Sequence, residues 1–319
     1  MAEVRTARGA VDSAGLGNVL VHEHVVIVGE EFRQNYSDWD EDRVVDEAVG
    51  KLDELKALGI DTILDPTVLG LGRNIPRIQR IAARTELNIV VATGLYTYND
   101  VPFQFQYAGP GQMFEMPEPM VELFVKDLTE GIADTGVRAA FLKCAIEEPG
   151  LTAGVERVMR AVGQASVATG TPITVHTHPH SQSGLVAQRV LAEEGVDLAR
   201  VIIGHSGDTT DLDYLMRLAD AGSFLGMDRF GLDPLLSFED RVDTVVELVR
   251  RGYTDRLTLA HDASCTIDWF GPVDRNVIAP HWNYRHISED VIPALLAKGL
   301  TEDDIDTMLR ANPRRYFEI

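Results

Sequence analysis

Short runs of apolar residues, rich in valine and isoleucine, recur along this chain of 319 residues and alternate with longer amphipathic stretches. Runs of this length are typical of buried strands, whereas apolar positions three and four residues apart are typical of helices. The runs predict eight strands, which cover residues 18–27, 60–67, 88–94, 137–146, 172–178, 200–206, 223–228 and 256–262.

The stretches between the runs predict helices that connect parallel strands. Residues 40–59 and 154–170 show helical spacing, and both end in glycine, the usual residue just after a helix C-terminus. Eight strand–helix units match the size of an α/β fold of the (β/α)8 TIM barrel type, and the alternative is an open doubly wound sheet. No linker rich in proline, glycine or serine divides the chain, so we expect residues 1–319 to form one domain.

Two long connections predict functional loops. One covers residues 96–118 and is rich in aromatic residues, glycine and proline, and the other covers residues 263–286, after the eighth predicted strand. Loops that follow the strands of a barrel build its catalytic face, and loops this long inside a compact domain usually carry function.

Composition and charge restrict the classes of partner. The formal net charge of −21 disfavours nucleic acid and anionic membrane surfaces, and favours a neutral or cationic small molecule. Two cysteines provide no disulfide framework, and the first residues lack a signal-peptide core, so we expect a cytoplasmic protein. No apolar run reaches the roughly 20 residues of a membrane helix.

Histidines are the first chemical signal. His22 and His24 lie two apart on the first predicted strand and therefore share a face. His176 and His205 lie near the carboxyl ends of the fifth and sixth strands, and all these ends meet at one mouth of a barrel. Imidazole is a common ligand of divalent metals. Each histidine alone has a simpler interpretation as a packed polar residue, but four converging imidazoles favour a metal site.

A carboxylate and a lysine occupy two further strand ends. Asp262 can bind a metal and accept a proton from bound water, although an aspartate here can also cap a helix or lie in a loop. Lys143, in AFLKCAI, would repel a metal as an ammonium group. A depressed pKa, a carbamate formed with carbon dioxide, and an ordinary salt bridge all remain open for it. His261 is expected to face away from Asp262 and to be structural.

These residues carry a family resemblance that extends over nearly the whole chain. The supporting segments are VHEHV, DPTVLGLGRNIPRI, IVVATGLYTYND, GIADTGVRAAFLKCA, VHTHPH, VIIGHSGDTTDLDYL, GMDRFG and HDASC. The chain resembles the amidohydrolase superfamily, and within it the phosphotriesterase family and its phosphotriesterase-like lactonases. The resemblance implies a TIM barrel with a short N-terminal β-hairpin and a homodimer.

The resemblance also implies a ligand set with divided roles. His22, His24 and Asp262 would hold the more buried of two metal ions, and His176 and His205 the more exposed one. Lys143, as N6-carboxylysine, and a hydroxide would bridge the ions. The ions would be zinc first, with cobalt, iron or manganese as alternatives.

The lactonases further imply residues that contact the substrate. Tyr98 and Arg229 would line the site and act in catalysis with Asp262, and Cys265, Ile267 and Trp269 would shape the pocket from the last loop. The hydroxide would open a neutral lactone, first of all an N-acyl homoserine lactone, which amounts to quorum quenching. Weaker phosphotriester hydrolysis would accompany it. The alternatives are a primary phosphotriesterase, another ester or amide hydrolase, a deaminase, and a barrel without catalytic activity that acts as a scaffold.

Overall fold

The computed structural model describes residues 2–36, 39–270 and 274–318, and parallel strands surrounded by helices form its centre. The strands are β1 (Glu3–Thr6), β2 (Gly9–Asp12), β3 (Val19–Leu20), β4 (His24–Ile27), β5 (Thr62–Asp65), β6 (Asn88–Gly94), β7 (Ala108–Gly109), β8 (Phe114–Glu115), β9 (Phe141–Ile146), β10 (Ile173–Thr177), β11 (Val201–Ile203), β12 (Phe224–Met227), β13 (Leu257–Leu259) and β14 (Ser264–Ile267).

The helices lie between the strands and after them. They are α1 (Glu30–Asn35), α2 (Glu41–Ala57), α3 (Ile75–Ala82), α4 (Phe103–Gln106), α5 (Pro119–Thr129), α6 (Ala153–Thr169), α7 (Ser183–Glu193), α8 (Leu212–Asp220), α9 (Phe238–Arg250), α10 (Arg275–Ile278), α11 (Ile292–Ala297), α12 (Glu302–Asp306) and α13 (Asn312–Glu318). There are also two π-helical turns: Ile287–Val291 directly precedes α11, and Thr307–Ala311 connects α12 to α13.

The strands follow one another around a barrel. Their order in space is β3-β5-β6-β9-β10-β11-β12-β13, and the pairs are parallel. The N–H of Val21 donates to the carbonyl of Leu259 at 3.4 Å, which links the first strand to the last. The (β/α)8 barrel is therefore confirmed, and the open sheet is wrong. The antiparallel pair β1–β2 forms the predicted N-terminal hairpin.

Local sequence explains these elements. Every residue of β9 is buried, as the continuous apolar run predicts for a barrel strand covered on both faces. Helix α2 begins after Asp40, whose side chain accepts from the N–H of Arg43, and it turns one apolar face inward. Helix α6 ends before Gly170, whose φ of +71° is readily adopted by glycine.

The structure refines the ends of the first and last predicted strands. Residues 18–27 divide into β3 and β4, because the N–H of Glu23 bonds to the carbonyl of Leu64 and that of His24 to the carbonyl of Ala263. The last predicted strand stops at Leu259, and the chain then turns through Asp262 at a φ of +55°. The two predicted loops contain short elements, namely α4, β7 and β8 in one and β14 and α10 in the other.

One glycine allows two strands to meet at the level of the candidate site. Gly94 ends β6 with a φ of +138°, and a Cβ atom there would lie 1.9 Å from the carbonyl oxygen of Lys143. Only glycine lets the backbones of β6 and β9 approach this closely. Among the residues described, no helix has both the length and the apolar character needed to cross a bilayer.

Candidate metal centre

A cleft with about 320 Å³ of empty volume lies at the carboxyl ends of the barrel strands. The residues that line it are His22, His24, Ile27, Leu71, Tyr96, Lys143, His176, Arg229, Asp262 and Trp269. His205 lies fully buried behind His176, with its Nε2 atom 2.8 Å from Nδ1 of His176. The structure thus brings together all six residues that the sequence predicts as metal ligands.

The first pair of histidines faces one carboxylate. The Nε2 atoms of His22 and His24 lie 3.4 Å and 3.3 Å from Oδ1 of Asp262. One ligand atom from each of these three residues falls within 4.8 Å of the others. Both rings line the cleft, although only His24 belongs to a strand.

A buried carboxylate that sequence reasoning missed orients two of the rings. Asp228 accepts from Nδ1 of His22 at 2.9 Å through one oxygen, and from Nδ1 of His205 at 3.0 Å through the other. It also accepts from the backbone N–H of His205 at 2.7 Å. When Nδ1 carries the proton for these bonds, each Nε2 presents its lone pair to the cleft.

The remaining two rings are anchored in the same way. His24 places Nδ1 2.7 Å from Oγ1 of Thr67, which bonds onward to Asp65 at 2.5 Å. His176 places Nε2 2.7 Å from Glu147, so its Nδ1 faces the cluster. An outer hydrogen bond that fixes the tautomer and the ring orientation is characteristic of metal-binding histidines.

Lys143 lies at the centre of the donor set. It is 1% exposed, and its Nζ atom lies 3.2 Å from Nε2 of His22. Burial lowers the pKa of Lys143 to about 8, because the low-dielectric interior penalises the ammonium form. An uncharged amine is compatible with neighbouring cations and is the form that reacts with carbon dioxide.

The charge states of the other groups fit divalent cations. Burial lowers the pKa of His22 to about 4 and also lowers the pKa values of His176 and His205, so these imidazoles are neutral near pH 7. Burial alone would raise the pKa of Asp262, but His22, His205 and Arg229 hold it well below its ordinary value. Neutral imidazoles beside an ionised carboxylate are the donor set that zinc-like ions prefer.

Arg229 lies in the cleft, as predicted, but two carboxylates hold it. Its Nε donates to Oδ2 of Asp262 at 2.9 Å, and its Nη1 donates to Oδ2 of Asp208 at 3.0 Å. Arg241 pairs with the other oxygen of Asp208 at 2.7 Å. Burial acts to lower the pKa of Arg229, but the two carboxylates raise it above its ordinary value, so the guanidinium stays charged.

The structure does not place Tyr98 where the sequence analysis expects it. Tyr98 is 54% exposed and is absent from the lining of the cleft, whereas Tyr96 belongs to that lining. The ring of Tyr96 packs edge-on against His176 with centroids 5.3 Å apart, and its hydroxyl donates to Glu147 at 2.5 Å. In YTYND both tyrosines fit the pattern, and the sequence alone does not show that the chain leaves the cleft after Tyr96.

The three residues predicted in the last loop separate. Trp269 lines the cleft and is 56% exposed. Cys265 and Ile267 line a neighbouring cavity instead, and the Sγ atom of buried Cys265 lies 3.4 Å from the hydroxyl of Tyr284. They lie on β14, which pairs alongside β4, and it is Ile27 of β4 that contributes to the cleft.

His261 is structural, as expected. It is fully buried, and both of its ring nitrogens are engaged. Nδ1 lies 2.6 Å from Glu23, and Nε2 accepts from the N–H of Ile287 at 2.8 Å. The ring therefore has no free position from which to exchange a proton with the cleft.

Sequence reasoning missed Asp228, Glu147, Asp208 and Tyr96. The criterion that selected Asp262, a carboxylate at the end of a predicted strand, would also have found two of them. Asp228 ends the seventh predicted strand, and Glu147 follows the fourth. Asp208 lies three residues after His205, in a turn that the sequence pattern leaves undefined. The role of each of these four residues in the site depends on which side chain it contacts, and those contacts are seen only in the folded barrel.

The parallel barrel and this donor set together define a metal-dependent hydrolase. Comparison with known proteins gives the same result, because the model of the Phosphotriesterase family matches residues 2–317. The chain belongs to the phosphotriesterase family, whose members are binuclear metal hydrolases.

The relatives match over nearly their whole length. A protein of Mycobacterium tuberculosis named "Phosphotriesterase homology protein" is 57% identical over 320 residues, covering 100% of this chain and 98% of the relative. An "Aryldialkylphosphatase" of Saccharolobus solfataricus is 39% identical over 313 residues, covering 97% of this chain and 98% of the relative. A solved structure described as the phosphotriesterase from Mycobacterium tuberculosis superposes with a TM-score of 0.96 at 56% identity, over 99% of this chain and 98% of that chain.

The role of Asp228 gives a first testable prediction. In Asp228→Asn one oxygen becomes an NH2 group, which cannot accept from an imidazole N–H, so one ring loses its fixed tautomer. We expect the affinity for zinc to fall by about 10–100-fold in competition with a chelator. The matched control is Asp233→Asn, which alters a carboxylate–histidine pair with His281 at 2.9 Å, outside the residues that line the cleft. Equal affinities in both variants would contradict this role.

Proposed function

We propose that this protein hydrolyses neutral lactones, with N-acyl homoserine lactones as the first class, and phosphotriesters more weakly. The observation that carries the proposal is the shape of the cleft, which combines a polar floor with a narrow apolar side. The floor consists of the imidazoles, Lys143 and Asp262, and the apolar side consists of Ile27, Leu71 and Trp269.

The size of the cleft favours a flat ring with one tail. The empty volume of about 320 Å³ includes space that is open to solvent, so the enclosed part of the cleft is smaller than this. A lactone presents one planar carbonyl to the floor and one acyl chain to the apolar side. A phosphotriester carries three substituents around a tetrahedral phosphorus and needs space in three directions.

The charges in the cleft favour a neutral substrate. Among the described residues of the lining, Lys143 and Arg229 are the side chains other than imidazoles that can carry a positive charge. Arg229 is already paired with Asp262 and Asp208, and burial disfavours the charged form of Lys143. An anionic substrate would therefore meet no free lysine or arginine here.

The metal assignment comes from the family resemblance, and the convergence of His22, His24 and Asp262 supports its first half. His22, His24 and Asp262 would hold one ion, and His176 and His205 the other, with zinc as first choice and cobalt, iron or manganese as alternatives. When bound, such ions polarise an ester oxygen and lower the pKa of water. Lys143 would supply the bridging anion, because its amine adds to carbon dioxide to form a carbamate and releases one proton.

The protein's own groups would complete the reaction. Asp262 is placed to accept a proton from the attacking water, and Arg229, which stays charged, holds the orientation of that carboxylate. The ring of Tyr96 packs against His176 in the cleft, and its hydroxyl would donate to the carbonyl oxygen as negative charge develops once it gives up its bond to Glu147. Trp269 would contact the acyl chain.

A primary phosphotriesterase is the second candidate. The observation in its favour is the printed name of the Saccharolobus solfataricus relative, an aryldialkylphosphatase at 39% identity. Lactone hydrolysis and phosphotriester hydrolysis both place a neutral electrophile over the same polar floor. Which of the two activities is stronger therefore depends on how the cleft accommodates the substituents of each substrate.

The proposal includes the setting of the enzyme. Residues 1–319 would act as one domain, as a homodimer in the cytoplasm. Cys144 and Cys265 are both free thiols, which is compatible with a reducing compartment. Exposed side chains on the connection after β6 offer an apolar face for a second copy, and they include Phe103, Met113 and Phe114.

A comparison of substrates tests the proposed activity. Zinc- or cobalt-loaded protein is assayed with N-acyl homoserine lactones of increasing chain length and with paraoxon. We expect kcat/KM for the best lactone to exceed that for paraoxon by at least about 100-fold, a difference of roughly 2.7 kcal/mol in transition-state stabilisation. A higher value for paraoxon would establish the second candidate, and no lactone turnover at any chain length would overturn the first.

The carbamate proposal predicts a dependence on Lys143 that differs from that of an ordinary lysine. Lys143→Ala should reduce zinc from two ions per chain to one or fewer, and short carboxylates such as propionate should restore loading in part. Lys126→Ala, on the exposed side of α5, serves as the control. Metal analysis with and without bicarbonate measures the effect, and full loading of Lys143→Ala without added carboxylate refutes the bridge.

The two tyrosines form a matched pair for the catalytic hydroxyl. Tyr96→Phe removes a hydroxyl inside the cleft, and we expect kcat to fall by about tenfold or more with a smaller change in KM. Tyr98→Phe removes a hydroxyl from a mostly exposed ring, and we expect both constants to stay within twofold. The reverse result would restore the role that the sequence analysis gave to Tyr98.

A further inference from the structure

Glu23 is a fully buried carboxylate between two candidate ligands. It lies between His22 and His24, in the break between β3 and β4, and its carboxylate bonds to the backbone of His261 and Ala263 and is absent from the lining of the cleft. Its relative exposure is 0%, and among the described residues it has no lysine or arginine partner. A buried charge without such a partner requires hydrogen bonds, and these show what Glu23 does.

The hydrogen bonds of Glu23 reach both sides of Asp262. Its Oε1 accepts from the backbone N–H of His261 at 2.7 Å, and its Oε2 accepts from the backbone N–H of Ala263 at 3.1 Å. The intervening N–H of Asp262 donates to the carbonyl of His22 at 3.0 Å. Three successive backbone N–H groups are therefore fixed by the segment that carries His22 and Glu23.

The backbone at Asp262, between these two hydrogen bonds, is strained. Asp262 has a φ of +55°, in the left-handed region that side chains other than glycine seldom adopt. Such a conformation persists only where the surroundings hold it, and at functional sites it sets the direction of a side chain. Here it directs Oδ1 of Asp262 toward the Nε2 atoms of His22 and His24.

The support continues into the last part of the chain through His261. The Nδ1–H of His261 donates to Glu23 at 2.6 Å, and its Nε2 accepts from the N–H of Ile287. The indole N–H of Trp282 donates to the carbonyl of His261 at 2.9 Å. Glu23 thus links the segment between β3 and β4 to the segment after β13 and, through His261, to the π-helical turn that begins at Ile287.

We propose that Glu23 is a positioning residue for the metal centre, which acts by holding the left-handed backbone of Asp262 so that its carboxylate faces His22 and His24. The inference rests on the proposed metal site and deepens it. Glu23 contacts neither metal nor substrate, and its effect passes through the peptide groups on either side of Asp262.

Two substitutions change the hydrogen bonds in different ways. Glu23→Gln keeps the size but replaces one oxygen with an NH2 group, which cannot accept a backbone N–H. Glu23→Asp keeps the charge but shortens the side chain by one methylene, so one carboxylate no longer reaches both N–H groups, and it serves if Glu23→Gln fails to fold. Gln188→Leu is the control for general destabilisation, because it removes buried hydrogen bonds of α7 to Leu218 and Ser223, away from the cleft.

The measurement uses cobalt(II) in place of the natural ion, with full-length protein. The visible absorption of bound cobalt reports its ligand geometry, and the rate of cobalt transfer to a chelator reports how firmly Asp262 is held. We expect Glu23→Gln and Glu23→Asp to release cobalt at least about tenfold faster, with altered absorption. Gln188→Leu should lower the melting temperature of the metal-free protein and leave both cobalt signals unchanged.

Each outcome has a distinct meaning. Wild-type absorption and release in a folded Glu23 variant would overturn the inference, as would the same change in Gln188→Leu. If the wild-type protein binds no cobalt, the proposed metal site itself fails. Catalytic turnover is not needed for either decision.

Discussion

The histidines at the mouth of the barrel can serve as ligands because a hydrogen-bond acceptor holds the outer nitrogen of each ring, and this constraint governs the site. Asp228 performs this role for His22 and His205 at once. The fold leaves room for it by placing glycine in β12 and directly after β11: a Cβ atom at Gly226 would lie 2.5 Å from Oδ2 of Asp228, and one at Gly204 would lie 3.3 Å from the same atom. Glycine at these positions therefore supports the candidate metal centre, although neither residue lines the cleft.

Backbone strain occurs where the strands give way to the site. The described residues other than glycine with positive φ are Ala133, Gln182, His205 and Asp262, and two of these are candidate ligands. Both are held by carboxylates that bind backbone N–H groups, Asp228 for His205 and Glu23 for the residues flanking Asp262. The barrel brings strand ends together by its topology, but the final direction of each ligand depends on these local hydrogen bonds, which offset the cost of the left-handed conformations.

Sequence reasoning predicted the barrel because buried parallel strands leave continuous apolar runs, and β6 was predicted with the bounds that the structure has. Strand ends that converge in such a barrel drew attention to the six candidate ligands, and the family resemblance completed the set. Sequence reasoning did not predict the breaks at residues 21–23 and after Leu259. There the backbone N–H groups bond to carbonyls of distant residues, such as that of Glu23 to Leu64 and that of Asp262 to His22, and these partners are known only from the folded structure. The sequence also did not show that Tyr96 lines the cleft, because the path of a loop after its strand is set by tertiary contacts, such as the bond from Tyr96 to Glu147.

The balance of charge gives an independent argument for cations at this site. Burial raises the pKa values of Glu23 and Asp65, and among the described residues neither has a lysine or arginine partner. Asp228 and Asp262 lie within the same few ångströms, where Arg229 is a nearby cation and burial disfavours the charged form of Lys143. Buried negative charge in this excess is costly unless positive charge is added. Divalent ions would supply that charge where the lone pairs of the imidazoles converge, so the acids that orient the ligands also favour the binding of the metal.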